Sequence, residues 1–139
     1  VIKLRDALRK EDRAGIEEAY ADWGFPPLKK ELLDALNIWA RFIYAPLLED
    51  RVRPVAEVKP AEYGRNEFRA MRMGLEQHGP VSIPRPFVFM DRAAIGLGAA
   101  FIRLKAELNF SRLFDEVIEG FSLETVGQRQ RAAMTSVGL

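Results

Sequence analysis

Three groups of side chains carry what chemistry this sequence can offer. Arg65, Arg69 and Arg72 recur at spacings that set them on one face of a helix, with Arg51, Arg53 and Lys59 just upstream. A stripe of this kind can receive phosphates or an acidic partner, because guanidinium groups donate to oxyanions in pairs. Glu62, Glu67 and Glu76 are interleaved at pairing distance, so a salt-bridged surface is the plainer reading. Asp91 and Arg92 interrupt an apolar stretch, and Arg85 lies shortly before them. Charges so placed are costly unless paired. They either fix the register of a buried helix, pairing with Arg85 or with each other's neighbours, or contact a ligand or partner domain. His78 is the only histidine, in Gln77-His78-Gly79, where an imidazole suits the C-terminal end of a helix better than a catalytic base.

The acidic residues do not add a centre. Glu17-Glu18, Glu49-Asp50 and Asp115-Glu116 are adjacent pairs, and neighbouring residues on a helix diverge around its axis instead of converging on one ion. A Glu-x-x-His pair is missing, and with it the carboxylate di-metal pattern of helical bundles. Cysteine is absent, which excludes disulfides, thiolate zinc sites and cysteine nucleophiles and fits a reducing compartment. Gly96-Leu97-Gly98 has no strand before it and is not a phosphate loop. No catalytic, cofactor-binding or metal-binding residue is assigned.

The elements that would hold these residues read as helices. The spacing predicts a short helix over Ile2 to Arg9, with Leu4 and Leu8 on one face. A second helix follows Asp12 as N-cap, with Ile16, Ala19, Tyr20 and Trp23 inward. Gly24, Pro26 and Pro27 end it, and Pro27 opens a third helix whose face is Leu28, Leu32, Leu36, Trp39, Ile43 and Leu47. Pro46 should kink or end that helix. The stretch from Glu49 to Lys59 reads as a loop or short extended segment. Pro60 opens a fourth helix running to Gln77, closed by Gly79 and Pro80, with Phe68, Met71 and Leu75 inward. Val81 to Pro86 should be extended. Phe87 to Leu108 is apolar nearly all round, which predicts a helix in the middle of a bundle, and Gly96, Gly98, Ala99 and Ala100 allow a close neighbour there. Asn109 or Ser111 caps a last strong helix carrying Phe110, Leu113, Phe114, Val117, Ile118 and Phe121. The aromatics at 87, 89, 101, 110, 114 and 121 fall at core spacings, with no basic groove interleaving them as a base-stacking platform would need.

The expectation is therefore an all-α bundle of about five or six helices over 1–121, followed by a polar tail, 122–139, that is a weak helix or disordered. The 139 residues suffice for one such domain, and 48% are hydrophobic. The 21 basic and 20 acidic side chains leave a formal charge of +1, which gives no pull toward nucleic acid. Val1 to Lys10 is charged and amphipathic, unlike a secretory signal. The run around Phe87 to Leu104 carries Asp91, Arg92 and Arg103, which argues against a transmembrane span. The first residue is Val1 and not Met, and the expectation is a piece of a larger protein.

Several short runs resemble one family. Asp12-Arg13-Ala14-Gly15, Trp23-Gly24-Phe25 and Trp39-Ala40-Arg41-Phe42-Ile43-Tyr44-Ala45-Pro46-Leu47-Leu48 are similar to segments downstream of the kinase core in AarF/UbiB-type atypical kinases. So is Pro84-Arg85-Pro86-Phe87-Val88-Phe89-Met90-Asp91-Arg92, which leads through a helix to Leu108-Asn109-Phe110. The resemblance spans roughly Arg5 to Phe121. It implies the C-terminal helical part of a protein-kinase-like fold. It also implies a parent phosphotransferase or ATPase that uses ATP and Mg and is linked to ubiquinone or isoprenoid lipid metabolism.

The family's own motifs do not stand here. Gly127-Gln128 follows Thr125-Val126, so the lysine of the lysine-x-glycine-glutamine motif is missing. His78 is followed by Gly79-Pro80 and opens no catalytic loop, and there is no aspartate-phenylalanine-glycine triplet. The resemblance thus implies a non-catalytic chain whose partner is a kinase-like lobe N-terminal to it. A lipid or protein partner, self-association, and a cytoplasmic or membrane-peripheral location complete the expectation. Two rival readings stand beside it: a free-standing interaction module, and a bundle that binds a small apolar ligand near Gly96 to Ala100.

Overall fold

In a computed structural model the chain is all-α, and the structure describes residues 1–56, 58–59 and 61–138. Seven helices run through these residues. They are α1 (Ile2–Lys10), α2 (Arg13–Asp22), α3 (Lys30–Leu48), α4 (Arg65–His78), α5 (Arg85–Arg103), α6 (Phe110–Ile118) and α7 (Leu123–Ser136). A two-residue antiparallel ladder pairs β1 (Arg53–Pro54) with β2 (Glu107–Leu108), Arg53 opposite Leu108. Among the described residues no helix is long and apolar enough to cross a membrane.

Local signals set most of the helix ends. The Asp12 side chain accepts from the Gly15 N–H and caps α2. Asn109 caps α6 by accepting from the Arg112 N–H, and Ser122 caps α7 by accepting from the Thr125 N–H. Gly64, just before α4, has a left-handed backbone, and a Cβ there would lie 2.9 Å from the Phe42 ring, so this turn needs glycine. The predicted start of this helix at Pro60 lies outside the described residues; the hydrogen-bonded helix begins at Arg65.

The start of α3 is later than predicted. Pro27 lies in an irregular segment, and the helix begins at Lys30. Pro46 does not end α3, which continues to Leu48. Placed in the last turn, the proline forfeits one backbone donor and bars little helix beyond it. The tail from Ser122 is a regular helix, which takes the count beyond the five or six expected, yet α7 buries no residue.

The core lies where α1, α2 and α3 meet, and it includes Leu4, Leu8, Ile16, Tyr20, Leu33 and Leu36, with Phe25, Met71 of α4 and Phe87 of α5 closing it. Tyr20, Phe25 and Phe87 stack edge to face, with ring centroids 5.2 Å apart for Tyr20–Phe25 and 5.1 Å for Phe25–Phe87. α3 is the shared element, packed against α1, α4, α5 and α6.

Helix α5 corrects the expectation of a central helix. Only Phe87 and Gly98 of it are buried, while Phe89 is 69% and Leu97 62% exposed. The helix lies at the margin of the core. α3 packs against one face of it, and Val88, Phe89 and Leu97 are left exposed. It also ends at Arg103, short of the expected Leu108, because Lys105 takes a left-handed backbone and Glu107–Leu108 pair with β1. α6 repeats the pattern: Phe110 is buried, but Val117 is 74% exposed.

Candidate functional site

Two apolar cavities flank α5. One, of about 490 Å³, lies between α3, α4 and α5, with Trp39, Phe68, Met71, Phe87, Ile95 and the backbone of Gly96 in its wall. The other, of about 280 Å³, lies on the opposite side of the helix, between Ile43, Tyr44, Met90, Leu97, Phe101 and Phe110. Both have volumes near the range of small-ligand sites, and both are walled almost entirely by apolar side chains.

The polar exception in the larger cavity is Asp91, with Arg92 beside it. The Trp39 indole N–H donates to the Asp91 carboxylate at 2.6 Å. Burial pushes this carboxyl up to about 6 from an ordinary 3.8, and the indole hydrogen bond opposes part of that rise. Asp91 was expected to pair with Arg85 or with charged neighbours. Among the described residues it makes no such pair, and the neutral indole takes that role. The reason is geometric. Asp91 faces Trp39 on α3, while Arg85 and Arg92 stand on exposed faces of α5. Tyr44 and Tyr20 lie near enough for the Asp91 charge to add to the rise in their phenol pKa values, which burial dominates. Tyr20 donates to the Asn37 side-chain oxygen at 3.3 Å, and the buried Tyr44 hydroxyl has no hydrogen-bond partner among the described residues.

The small residues of α5 divide by neighbour. A Cβ at Gly98 would lie 2.5 Å from the Tyr63 ring, so the close approach expected in this stretch is made there. At Gly96 a Cβ would meet nothing within 4 Å, and that side opens on the larger cavity.

The arginines also divide. Arg65 and Arg69 line a third cavity, together with Arg51 and Arg53. Arg72 turns aside and pairs with Glu76 at 2.7 Å. The expected salt-bridged surface thus holds for Arg72 and, through Glu49, for Arg51 and Arg53; among the described residues Arg65 and Arg69 meet no carboxylate within pairing distance, and Arg65 donates to the Ala61 carbonyl. His78 is exposed in the last turn of α4. The adjacent carboxylates part to different cations. Glu17 pairs with Arg13, Glu18 with Lys3, Glu49 with Arg51 and Arg53, Asp50 with Arg112, and Asp115 with Arg5.

Two arginines of α1 have structural roles that periodicity did not single out. Arg5 is 7% exposed; it donates to Asp6 and to Asp115 of α6, and lies over the Phe114 ring at 4.9 Å. Arg9 donates to the Leu47 carbonyl at 2.7 Å and to the Ser111 hydroxyl at 2.9 Å. Together they tie α1 to the end of α3 and to α6. A signal was present, since Arg5 sits beside Leu4 and Leu8 on the inward side of α1, but its partner is remote in sequence.

Comparisons with protein-family models, with curated proteins and with solved structures returned no match to this chain.

Proposed function

We propose that this chain is the non-catalytic C-terminal helical region of an AarF/UbiB-like atypical kinase or ATPase. Its role in that reading is to support a kinase-like lobe that supplies the nucleotide and metal chemistry. The observation that carries the reading is the open apolar face of α5, with Val88, Phe89 and Leu97 exposed on the helix that bears the proline-arginine and aspartate-arginine runs of the resemblance. A contiguous exposed apolar surface marks a surface that another element covers. The catalytic lysine, aspartate and asparagine that phosphoryl transfer needs come from that lobe, and ATP and Mg are its ligands.

The coding sequence upstream of Val1 tests this directly. A lysine-x-glycine-glutamine motif followed by kinase-type metal and catalytic-loop residues is the expected result. An upstream sequence without them ends the proposal. Magnesium-dependent ATPase activity in the purified 139-residue chain would equally contradict it.

A second reading is favoured by the two apolar cavities beside α5: a bundle that holds a small apolar ligand. Native mass spectrometry of the purified chain separates the readings, since a bound apolar molecule is retained only under the second.

A further inference from the structure

The third cavity has a different character from the two beside α5. It has a volume of about 700 Å³ beside the first turns of α4, and four arginines line it. Arg51 and Arg53 come from the segment leading into and through β1, and Arg65 and Arg69 from successive turns of α4. Among the described residues, the carboxylates nearby pair with only two of the four arginines. Glu49 is shared by Arg51 and Arg53. Glu62 and Glu67 also line the cavity, but among the described residues neither is within pairing distance of an arginine. Arg51 and Arg53 share one carboxylate, and Arg65 and Arg69 have none within pairing distance among the described residues, so the described set keeps an excess of positive charge that a bound anion relieves. The planar fork of each guanidinium matches the oxygen spacing of a phosphate and can engage it through two N–H groups. The several N–H donors of the arginines favour an oxyanion that accepts several hydrogen bonds over a simple halide. The first turn of α4, from Gly64 to Glu67, also belongs to this wall and has no side-chain cap at Gly64.

We infer that the cavity lined by Arg51, Arg53, Arg65 and Arg69 binds the phosphate or diphosphate group of a ligand. The inference does not depend on the kinase-family reading. Val55 lines both this cavity and the smaller apolar one beside α5, so a ligand with an apolar portion beyond its phosphate has a surface to follow. The phosphate therefore belongs either to a free small molecule or to a lipid headgroup.

Isothermal titration calorimetry of the purified chain with inorganic pyrophosphate at low salt tests the site. Saturable binding is expected, weakened about tenfold or more in Arg69→Gln and in Arg65→Gln. Arg72→Gln, on the same helix but outside the cavity and paired to Glu76, should bind as the unaltered chain does. Arg69 makes no side-chain hydrogen bond among the described residues, and circular dichroism checks that the fold persists in Arg69→Gln. Flotation with phosphatidylcholine vesicles, with and without phosphatidic acid, distinguishes the sources. Flotation that needs both phosphatidic acid and Arg69, and that pyrophosphate displaces, assigns the phosphate to a lipid headgroup. Pyrophosphate binding without flotation assigns it to a free ligand. Absence of both overturns the inference, and so does an equal loss in Arg72→Gln.

Discussion

Asp91 is the residue where burial and charge conflict most clearly. Its folded-state carboxyl titrates near 6, above the ordinary 3.8, so between those values the folded protein holds a proton that the unfolded chain releases. The stability linked to this proton is fully present below the ordinary value and is lost as pH rises through about 6. Asp91→Asn keeps an acceptor for the Trp39 indole and removes the charge. The variant should be more stable than the unaltered chain at pH 7 by about 1 kcal/mol, a figure reduced for the partial exposure of the carboxyl. It should show little advantage near pH 4. Urea unfolding of both proteins at the two pH values measures this, and identical pH slopes would show that Asp91 does not carry the effect. The residue was legible in the sequence as a charge out of place, but its partner was not. Periodicity shows that Asp91 interrupts an apolar helix; only the packing of α5 on α3 brings the indole of Trp39 to it.

At the scale of the element, α5 contains two glycines with opposite roles. Gly96 costs helix stability and faces open space, so Gly96→Ala should stabilise the protein by about 0.5–1 kcal/mol. Gly98 lies against the Tyr63 ring, and Gly98→Ala should destabilise it by about 1–2 kcal/mol because the ring must shift. Thermal unfolding of the pair measures the difference, and equal shifts in one direction would mean that Tyr63 does not press on this helix. α1 offers a second contrast. Arg5 is buried and joins two carboxylates and a ring, so Arg5→Ala should cost about 1–2 kcal/mol. Lys3 pairs with Glu18 and Asp22 in the open, and Lys3→Ala should change stability much less than Arg5→Ala. Chemical denaturation ranks the two, and an Arg5 effect no larger than that of Lys3 would remove its role as the tie between α1 and α6.

Across the whole molecule, apolar side chains are spread unevenly between the core and an open flank. α1, α2 and α3 bury their apolar faces, while α5, α6 and α7 leave Phe89, Leu97, Val117 and Leu123 exposed. Substitutions should report this division. Phe87→Ala, which opens the core, should cost about 3–4 kcal/mol. Phe89→Ser, two residues on but facing outward, should change stability by no more than about 0.5 kcal/mol. If the flank drives self-association of the chain alone, Phe89→Ser should also shift sedimentation toward the monomer. Analytical ultracentrifugation beside urea unfolding gives both readouts. A large stability loss in Phe89→Ser would mean that the outer face of α5 is packed, and would remove the surface on which the kinase-lobe reading rests.

The sequence by itself determined where most helices form and stop. Caps such as Asp12 and Asn109 and the break at Gly24-Phe25-Pro26-Pro27 act through backbone atoms a few residues away, so they can be read without knowing the fold. It also marked the apolar faces of α2 and α3, because spacings of three and four are properties of one helix. Only the tertiary structure decided which faces are covered. α5 and α6 read as core helices on the same evidence as α3, yet an apolar face reports the affinity of a surface for a neighbour and not the presence of one. The same limit applies to the sites. The pairing of Arg5 with Asp115 and of Trp39 with Asp91 depends on how the loops return the chain to itself. No local spacing encodes that path, since it is set by the packing of the whole core.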